Sequence, residues 1–314
     1  MSAQCETTAK RAAGSPMGLF ERYLTLWVFL CSALGIGLGQ AFPGFFQLVG
    51  RLEVARINLP VALLIWLMIV PMLLKIDLHA LAGVRRYWRG VGVTLFVNWA
   101  VKPFSMALLG WVFIRGLFAD WLPAEQIDSY IAGLILLAAA PCTAMVFVWS
   151  HLCKGEPHFT LSQVALNDII MVFAFAPIAA FLLGVSEIHV PWQTLLLSVL
   201  LYVVLPLLAG IVTRHHLDNA DNHQRLNDFV QRLKPWSVIG LLATVVLLFG
   251  FQAETIIGQP QTIVLIAIPL LLQTYGIFAI AYTAARWLRL EHNIAAPACL
   301  IGTSNFFELA VAVA

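Results

Sequence analysis

The sequence predicts an all-α polytopic membrane protein made of two inverted five-helix repeats, with broken, crossing fourth and ninth helices. Three observations lead to this fold class. Hydrophobic residues make up 61% of the chain and charged residues 11%, and the mean hydropathy is +0.88, a balance typical of chains that cross a bilayer repeatedly. Apolar runs long enough to span about 30 Å of hydrocarbon recur along the chain. Two of these runs contain helix breakers.

Nine apolar spans are predicted in chain order. Residues 1–18 are polar and small, and we expect them to form a cytoplasmic tail before an uncleaved first helix. The predicted spans are Tyr23–Gln40, Ile57–Leu74, Val91–Ile114, Tyr130–Leu152, Leu161–Leu183, Pro191–Thr213, Trp236–Gln252, Thr262–Ala285 and a ninth that begins near Ile294. The ninth span is still apolar at the last residue, so a tenth helix is expected to be absent from this chain.

The positively charged residues predict the orientation of these spans. Fourteen of the eighteen Lys and Arg residues lie in cytoplasmic segments if the amino terminus is cytoplasmic. The other side then holds three, and Lys102 lies within the third span. Because cytoplasmic loops carry an excess of Lys and Arg, we expect a multi-pass protein of the plasma (inner) membrane with a cytoplasmic amino terminus. A net charge of +2 gives no reason to expect a nucleic-acid partner.

Internal symmetry divides the spans into two predicted repeats. Residues 19–185 hold spans one to five, and residues 186–314 hold spans six to nine. A repeat with an odd number of helices inserts upside down relative to its copy, so the fourth span should match the ninth. Pro141 breaks the fourth span, and four poor helix formers, Gly302–Asn305, break the ninth. Two such helices are expected to cross near the bilayer midplane, where secondary transporters bind their substrates.

Cys142 lies directly after Pro141, at the break of the fourth span. A cysteine in an apolar helix is often only a small packing residue. The break favours a functional thiol, because backbone groups freed inside hydrocarbon persist only where they line a cavity or pack against protein. The five cysteines form no CxxC pair and no zinc-site spacing, so we expect Cys142 to act alone or with groups from other helices.

Two segments resemble the signature regions of a known transporter family. They are PCTAMVFVWSHLCKGEPHFTLSQVALNDIIMVFAFAPI, from Pro141, and GTSNFFELAVAVA, from Gly302; NWAVKPFSM, from Asn98, resembles a third. On these motifs the chain is identified as a member of the yeast-type arsenite-efflux permeases, in the bile acid/arsenite/riboflavin transporter superfamily. The resemblance implies ten helices in two inverted repeats, a thiol at Cys142 that transport requires, and a carboxylate at Glu308 beside it.

The resemblance also implies a function, the export of arsenite from the cytoplasm by secondary active transport, with antimonite as a second candidate substrate. One deprotonated thiol at Cys142 is a soft ligand for As(III), itself soft, and binds it reversibly. Glu308 is an acid within an apolar run and is expected to carry a proton, which predicts proton antiport. We expect no cofactor and no enzyme, because the chain has no Walker A loop, nucleophile elbow or HExxH motif.

Three further residues are candidates for binding. Asn305 lies one helical turn before Glu308 and is assigned to substrate binding or to orienting that acid. Asn167 is expected to donate hydrogen bonds to substrate hydroxyls and to unwound backbone. Trp149 lies two turns after Cys142 and either walls the cavity or anchors the helix at the membrane interface.

Two buried charges are candidate charge partners. Asp168 is either a functional acid or an acid near a helix amino terminus that the helix dipole stabilises. Lys102 precedes a proline within the third span. Its ammonium group either pairs with Glu308 or Asp168 or extends along its apolar stem to the membrane surface.

Two other functions stay open at this point. Helix ends and unwound carbonyls at Pro141 and Ser304 are able to hold sodium, which predicts a sodium-coupled carrier of organic anions that needs no cysteine. The other is a membrane thiol oxidoreductase. That chemistry uses a second, resolving cysteine near the first, and the sequence shows none.

Overall fold

The chain is helical through almost all of its described length, apart from one hairpin of two-residue strands. The computed structural model describes residues 23–54, 57–74, 85–142, 146–186, 196–197, 200–217 and 223–305. Five helices in these ranges are long and apolar enough to cross a membrane: Leu24–Ala41, Trp88–Leu117, Pro157–Val185, Asp228–Phe251 and Pro260–Trp287. The predicted class, an α-helical protein with several membrane spans, is confirmed, and the inverted repeats stay a prediction.

Two helices and a short hairpin come before the helix of the second predicted span. Helix α1 (Leu24–Ala41) ends before Pro43, where α2 (Pro43–Gly50) begins. Strands β1 (Glu53–Val54) and β2 (Ile57–Asn58) pair antiparallel, and α3 (Leu59–Leu73) follows. The second span therefore begins as a strand at its first two residues. Asn58 explains the change, because its Oδ1 accepts the backbone N–H of Val61 at 3.1 Å, as a helix-capping side chain does.

Helix α4 (Trp88–Leu117) is three residues longer at each end than the predicted third span, Val91–Ile114. It contains two π-helical segments, Phe96–Val101 and Gly110–Leu117. The first lies directly before Lys102 and Pro103. Because proline has no N–H to donate, the helix widens there, and the backbone N–H of Lys102 donates to the Val97 carbonyl five residues back.

The fourth predicted span is two helices, α5 (Ile127–Ala139) and α6 (Val146–Leu152). Ala140 is extended, with φ −119° and ψ 126°, because a residue before proline is sterically driven out of the helical region. The break expected at Pro141 is therefore present. Helix α7 (Pro157–Val185) follows a tight turn in which Lys154 has a positive φ of 56°.

The carboxyl-terminal half holds five helices in its described part. A π-helical segment, Leu200–Val204, leads into α8 (Leu205–Leu217), and α9 (His223–Phe251), α10 (Ala253–Gly258), α11 (Pro260–Trp287) and α12 (His292–Thr303) follow. Helix α9 begins thirteen residues before the predicted span at Trp236. Apolar composition identifies the membrane-length part of a helix but not its charged extension, so the sequence placed this segment in a loop.

The described residues form two compact units. Residues 85–186 and 266–305 make the first unit, and residues 23–74 and 196–265 make the second. In the second unit α9 packs against α1 and α3. In the first unit α12 packs against α4 and α6, and α7 packs against α5 and α6. These units reflect packing and do not bear on internal symmetry, so the repeats 19–185 and 186–314 stay a prediction.

Candidate functional site

The break of the fourth span and the end of α12 meet inside the first unit. Helix α12 ends at Thr303, and Ser304 and Asn305 are not helical. The Ser304 hydroxyl lies 2.9 Å from the backbone carbonyl of Cys142 and 2.7 Å from that of Ile301. Cys142 is buried, with 7% of its surface exposed. We call Cys142, Ser304 and the neighbouring Lys102 the junction.

Lys102 points into the first unit rather than to the membrane surface. It is 1% exposed, and its Nζ donates to the backbone carbonyl of Ser304 at 2.6 Å. This carbonyl lies just beyond the last turn of α12, where the helix dipole places partial negative charge, so a cation is favourable there. Gln273 on α11 donates from Nε2 to the Lys102 carbonyl at 2.8 Å. Lys102 therefore ties α4, α11 and α12 together beside Cys142.

Asn167 joins α4 to α7 through its side-chain amide. Its Oδ1 accepts hydrogen bonds from Asn98 Nδ2 at 3.1 Å and from Trp99 Nε1 at 3.0 Å. Its Nδ2 donates to the Gln163 backbone carbonyl at 2.8 Å. The Asn167 oxygen thus has two donors, which fills its usual capacity. The sequence predicted Asn167 as a donor to substrate, and that role stays a prediction.

Several amide atoms near Asn167 are buried without a hydrogen-bond partner among the described residues. They are Asn98 Oδ1 and both side-chain atoms of Gln163, and Asn305 Oδ1 is a further one beyond α12. Asn98 and Gln163 are each 0% exposed. Sequence reasoning did not assign Asn98, Gln163 or Gln273 to the site. A signal was available, since polar side chains within apolar spans are costly and usually functional.

The other predicted residues lie in different surroundings. Trp149 on α6 is 42% exposed, and Asp168 on α7 is buried beside Asn167. Asn305 is partly buried, directly after Ser304. Glu308 lies outside the described residues, so its place at the junction stays a prediction. The described part of the chain contains no cluster of three or more His, Cys, Asp or Glu side chains able to hold a metal ion.

Three other described cysteines, Cys31, Cys153 and Cys299, form no disulfide. Cys299 lies on α12 in an apolar cluster with Val93 and Val97 of α4. Cys153 lies in the turn after α6, where burial raises the pKa of its thiol and keeps it protonated at neutral pH. Neither environment favours a reactive thiolate, whereas Cys142 lies near the buried amine of Lys102.

Comparison with known proteins identifies the family. The profile described as the sodium bile acid symporter family matches residues 62–259, more than half of the sequence. The chain belongs to this family. Arsenical-resistance protein Acr3 of Alkaliphilus metalliredigens is 47% identical over 302 residues, which cover 96% of this chain and 85% of that protein. These matches confirm the family that the motifs predicted.

Two further relatives of this symporter-family chain match over similar lengths. An uncharacterised transporter of Synechocystis sp. is 42% identical over 312 residues, which cover 96% of this chain and 82% of that protein. Arsenical-resistance protein Acr3 of Corynebacterium glutamicum is 32% identical over 317 residues, with 98% and 83% covered. Together with the apolar helices, these relatives make the chain an integral, multi-pass membrane protein of a transporter family.

Proposed function

We propose that this protein is a secondary active transporter that exports arsenite from the cytoplasm, with antimonite as a second substrate. Its similarity to two arsenical-resistance proteins, 47% and 32% identical, supports this substrate class. The observation that carries the proposal is the hydrogen bond from Ser304 Oγ to the Cys142 carbonyl. This bond supports the proposal because it joins the end of α12 to the break that carries Cys142, a soft sulfur ligand in the proposed scheme, near the buried Lys102 amine.

In the proposed binding step the Cys142 thiol exchanges with a hydroxyl of undissociated arsenous acid. An As–S bond forms, an As–O bond breaks, and the displaced hydroxyl leaves as water with the thiol proton. No electrons are transferred, and the reverse reaction restores thiol and arsenous acid. Lys102 lies close enough to Cys142 for a charge interaction, and in its ammonium form it would favour negative charge at the sulfur during the exchange. One thiol holds the metalloid reversibly, as export requires.

The proposed cycle couples export to proton entry. Glu308 carries the proton, Asn305 binds substrate or orients Glu308, and Trp149 walls the cavity. The inverted repeats, residues 19–185 and 186–314, supply two crossing broken helices, and one bundle rocks against the other to expose the site on either side. The amino terminus is cytoplasmic in this scheme, so substrate enters from the side of the positively charged loops.

The alternative is a sodium-coupled carrier of organic anions, the kind of protein for which the family is named. Asp168 would serve as a charge partner in either scheme, but only the arsenite scheme requires a thiol. The arsenical-resistance relatives cover almost the whole chain, while the family profile covers residues 62–259. We therefore place arsenite first.

Arsenite uptake into everted inner-membrane vesicles with an acid-inside pH gradient tests the proposal. Uptake should need the pH gradient, continue when choline replaces sodium, and fall to background in Cys142→Ser. The matched control is Cys299→Ala, which removes another buried thiol of the first unit and should leave uptake near the wild-type rate.

Two results would contradict the scheme. Wild-type uptake by Cys142→Ser would make this cysteine a packing residue. Uptake that depends on sodium and ignores the pH gradient would support the organic-anion carrier instead.

A further inference from the structure

We propose that Gln163 and Asn98 form a subsite that hydrogen-bonds the hydroxyl groups of a small neutral hydroxy acid. Undissociated arsenous acid belongs to this chemical class, and the inference therefore rests on the proposed function. It assigns recognition of the hydroxyls to residues other than Asn167, and it separates that recognition from the binding of arsenic by Cys142.

The first argument is the burial of amide atoms that have no hydrogen-bond partner among the described residues. Gln163 Nε2, Gln163 Oε1 and Asn98 Oδ1 all have this property, and both residues are 0% exposed. A buried polar group without a partner is strongly unfavourable, and most such groups in proteins are paired. Two such residues on adjacent helices indicate a place where a polar ligand completes the hydrogen bonds.

The second argument is that Asn167 orients the Asn98 side chain and lies one helical turn from Gln163 on α7. It accepts from Asn98 Nδ2 at 3.1 Å and donates to the Gln163 backbone carbonyl at 2.8 Å. The Asn98 amide is thereby oriented with its nitrogen toward Asn167, which leaves its oxygen available. Asn167 acts as a positioning residue, because its own oxygen already has two donors.

The third argument is position. Asn98 lies four residues before Lys102 on α4, about one helical turn from the residue that contacts the junction. Gln163 lies on α7, which packs against α5, α6 and α12, the helices that carry or flank Cys142 and Ser304. The subsite and the junction therefore belong to the buried interior of the same unit.

The donor and acceptor set identifies the ligand class. A hydroxyl group both donates and accepts, and the subsite offers two acceptors, Asn98 Oδ1 and Gln163 Oε1, with one donor, Gln163 Nε2. A hard cation takes oxygen ligands alone and would leave Gln163 Nε2 unpaired. A carboxylate needs donors alone and would leave both oxygens unpaired. Neutral hydroxyls satisfy all three atoms.

The test compares arsenous acid with methylarsonous acid. Both bind thiols, but methylarsonous acid has a methyl group in place of one hydroxyl. Equilibrium binding of each is measured on the purified full chain in detergent, for wild type, Gln163→Met and Asn98→Leu. We expect each substitution to weaken the binding of arsenous acid by roughly three- to tenfold more than the binding of methylarsonous acid. This difference is the effect of one lost hydrogen bond. An equal loss for both ligands, or no loss, would overturn the inference.

Thermal unfolding of the ligand-free protein gives a second readout. In Gln163→Met the new side chain has nearly the same shape as glutamine and lacks its two unpaired polar atoms. The thermal unfolding midpoint of this variant should therefore rise, while its stabilisation by arsenous acid should decrease. A lower midpoint would mean that Gln163 already has a partner and would overturn the inference. The matched control is Thr244→Val in the second unit, where the hydroxyl has a partner, the Gly240 carbonyl at 2.7 Å, and where ligand binding should not change.

The two proposals fail in different ways. If arsenous acid binds wild type and requires Cys142 but the ratio of the two affinities is unchanged in Gln163→Met, only the subsite is wrong. If the wild-type protein binds no arsenous acid, both the proposed function and the subsite inference are wrong.

Discussion

The two units bury different kinds of side chain, although both are made of apolar helices. Ten of the twelve buried polar or charged residues among those described lie in the first unit, and only Thr244 and Thr262 lie in the second. In the second unit, glycines let neighbouring helix backbones approach each other closely. Added Cβ atoms at Gly35 and Gly39 of α1 would meet the α9 backbone, and one at Gly240 would approach the α3 backbone.

This difference indicates that the two units have different roles. Helices in a bilayer gain little from burying apolar side chains against each other, so small residues that let backbones approach closely stabilise their association. Buried polar groups are costly in the same environment and persist where function requires them. We infer that the second unit is a close-packed frame and that the first unit contains the chemistry.

The largest expected effect comes from removing the buried amine of Lys102 in the first unit. Lys102→Met loses the hydrogen bond from Nζ to the Ser304 carbonyl, and a charged hydrogen bond contributes about 1.5–3 kcal/mol. Arsenite uptake by everted vesicles should fall roughly 10- to 100-fold, while the amount of protein in the membrane stays the same. Uptake at the wild-type rate would remove Lys102 from the site and weaken the distinction between the units.

A pair of glycine substitutions on α1 tests the frame. A Cβ at Gly35 would lie 2.5 Å from the Val246 carbonyl oxygen, whereas one at Gly37 meets nothing within 4 Å. Gly35→Ala should therefore destabilise the protein by about 1–3 kcal/mol through overpacking. Gly37→Ala should be neutral or stabilise it by up to about 1 kcal/mol, because alanine favours helix.

The measurement for this pair is the denaturant midpoint in detergent micelles, combined with arsenite binding at low temperature. Binding should be retained in both variants. Equal midpoints for the two variants would show that close approach of α1 and α9 does not stabilise the second unit.

The smallest effect is expected from a polar contact of the first unit that is exposed. Arg115 Nη2 lies 2.5 Å from Asp128 Oδ1, with the side chains 34% and 61% exposed. Asp128→Asn should change the free energy of unfolding by less than about 1 kcal/mol, and salt should reduce this difference. A loss of transport as large as that in Lys102→Met would show that burial does not decide which polar contacts matter.

The breaks were predictable from sequence because proline acts locally. Pro141 forces Ala140 out of the helical region whatever lies around it, and Ser304 lies within a run of four poor helix formers. The ends of α1 were predicted to within one residue, since its apolar stretch and helix coincide. The charged start of α9 was missed because hydropathy does not report helix outside the bilayer.

The partners of the site residues could not be predicted, because they depend on contacts between distant segments. Lys102 and Ser304 are 202 positions apart, and Asn98 and Asn167 are 69 apart. The sequence was compatible with a Lys102 side chain that pairs with Glu308, pairs with Asp168 or extends to the membrane surface. It gave no means of choosing among these three positions. The widened turn before Lys102 was also unpredicted, since a proline within a helix is compatible with a kink, a break or a widened turn. Gln163 and Gln273 were detectable as polar residues in apolar spans, but their roles were not.

The Ser304 hydroxyl has one proton and two acceptors. It lies 2.9 Å from the Cys142 carbonyl and 2.7 Å from the Ile301 carbonyl of its own helix. The proton can therefore pass from one acceptor to the other by rotation of a single side-chain torsion, and the donor is satisfied in both settings. The hydrogen bond that links α12 to the broken fourth span can therefore be lost for roughly the cost of one neutral hydrogen bond exchanged for another, without rearranging the backbone.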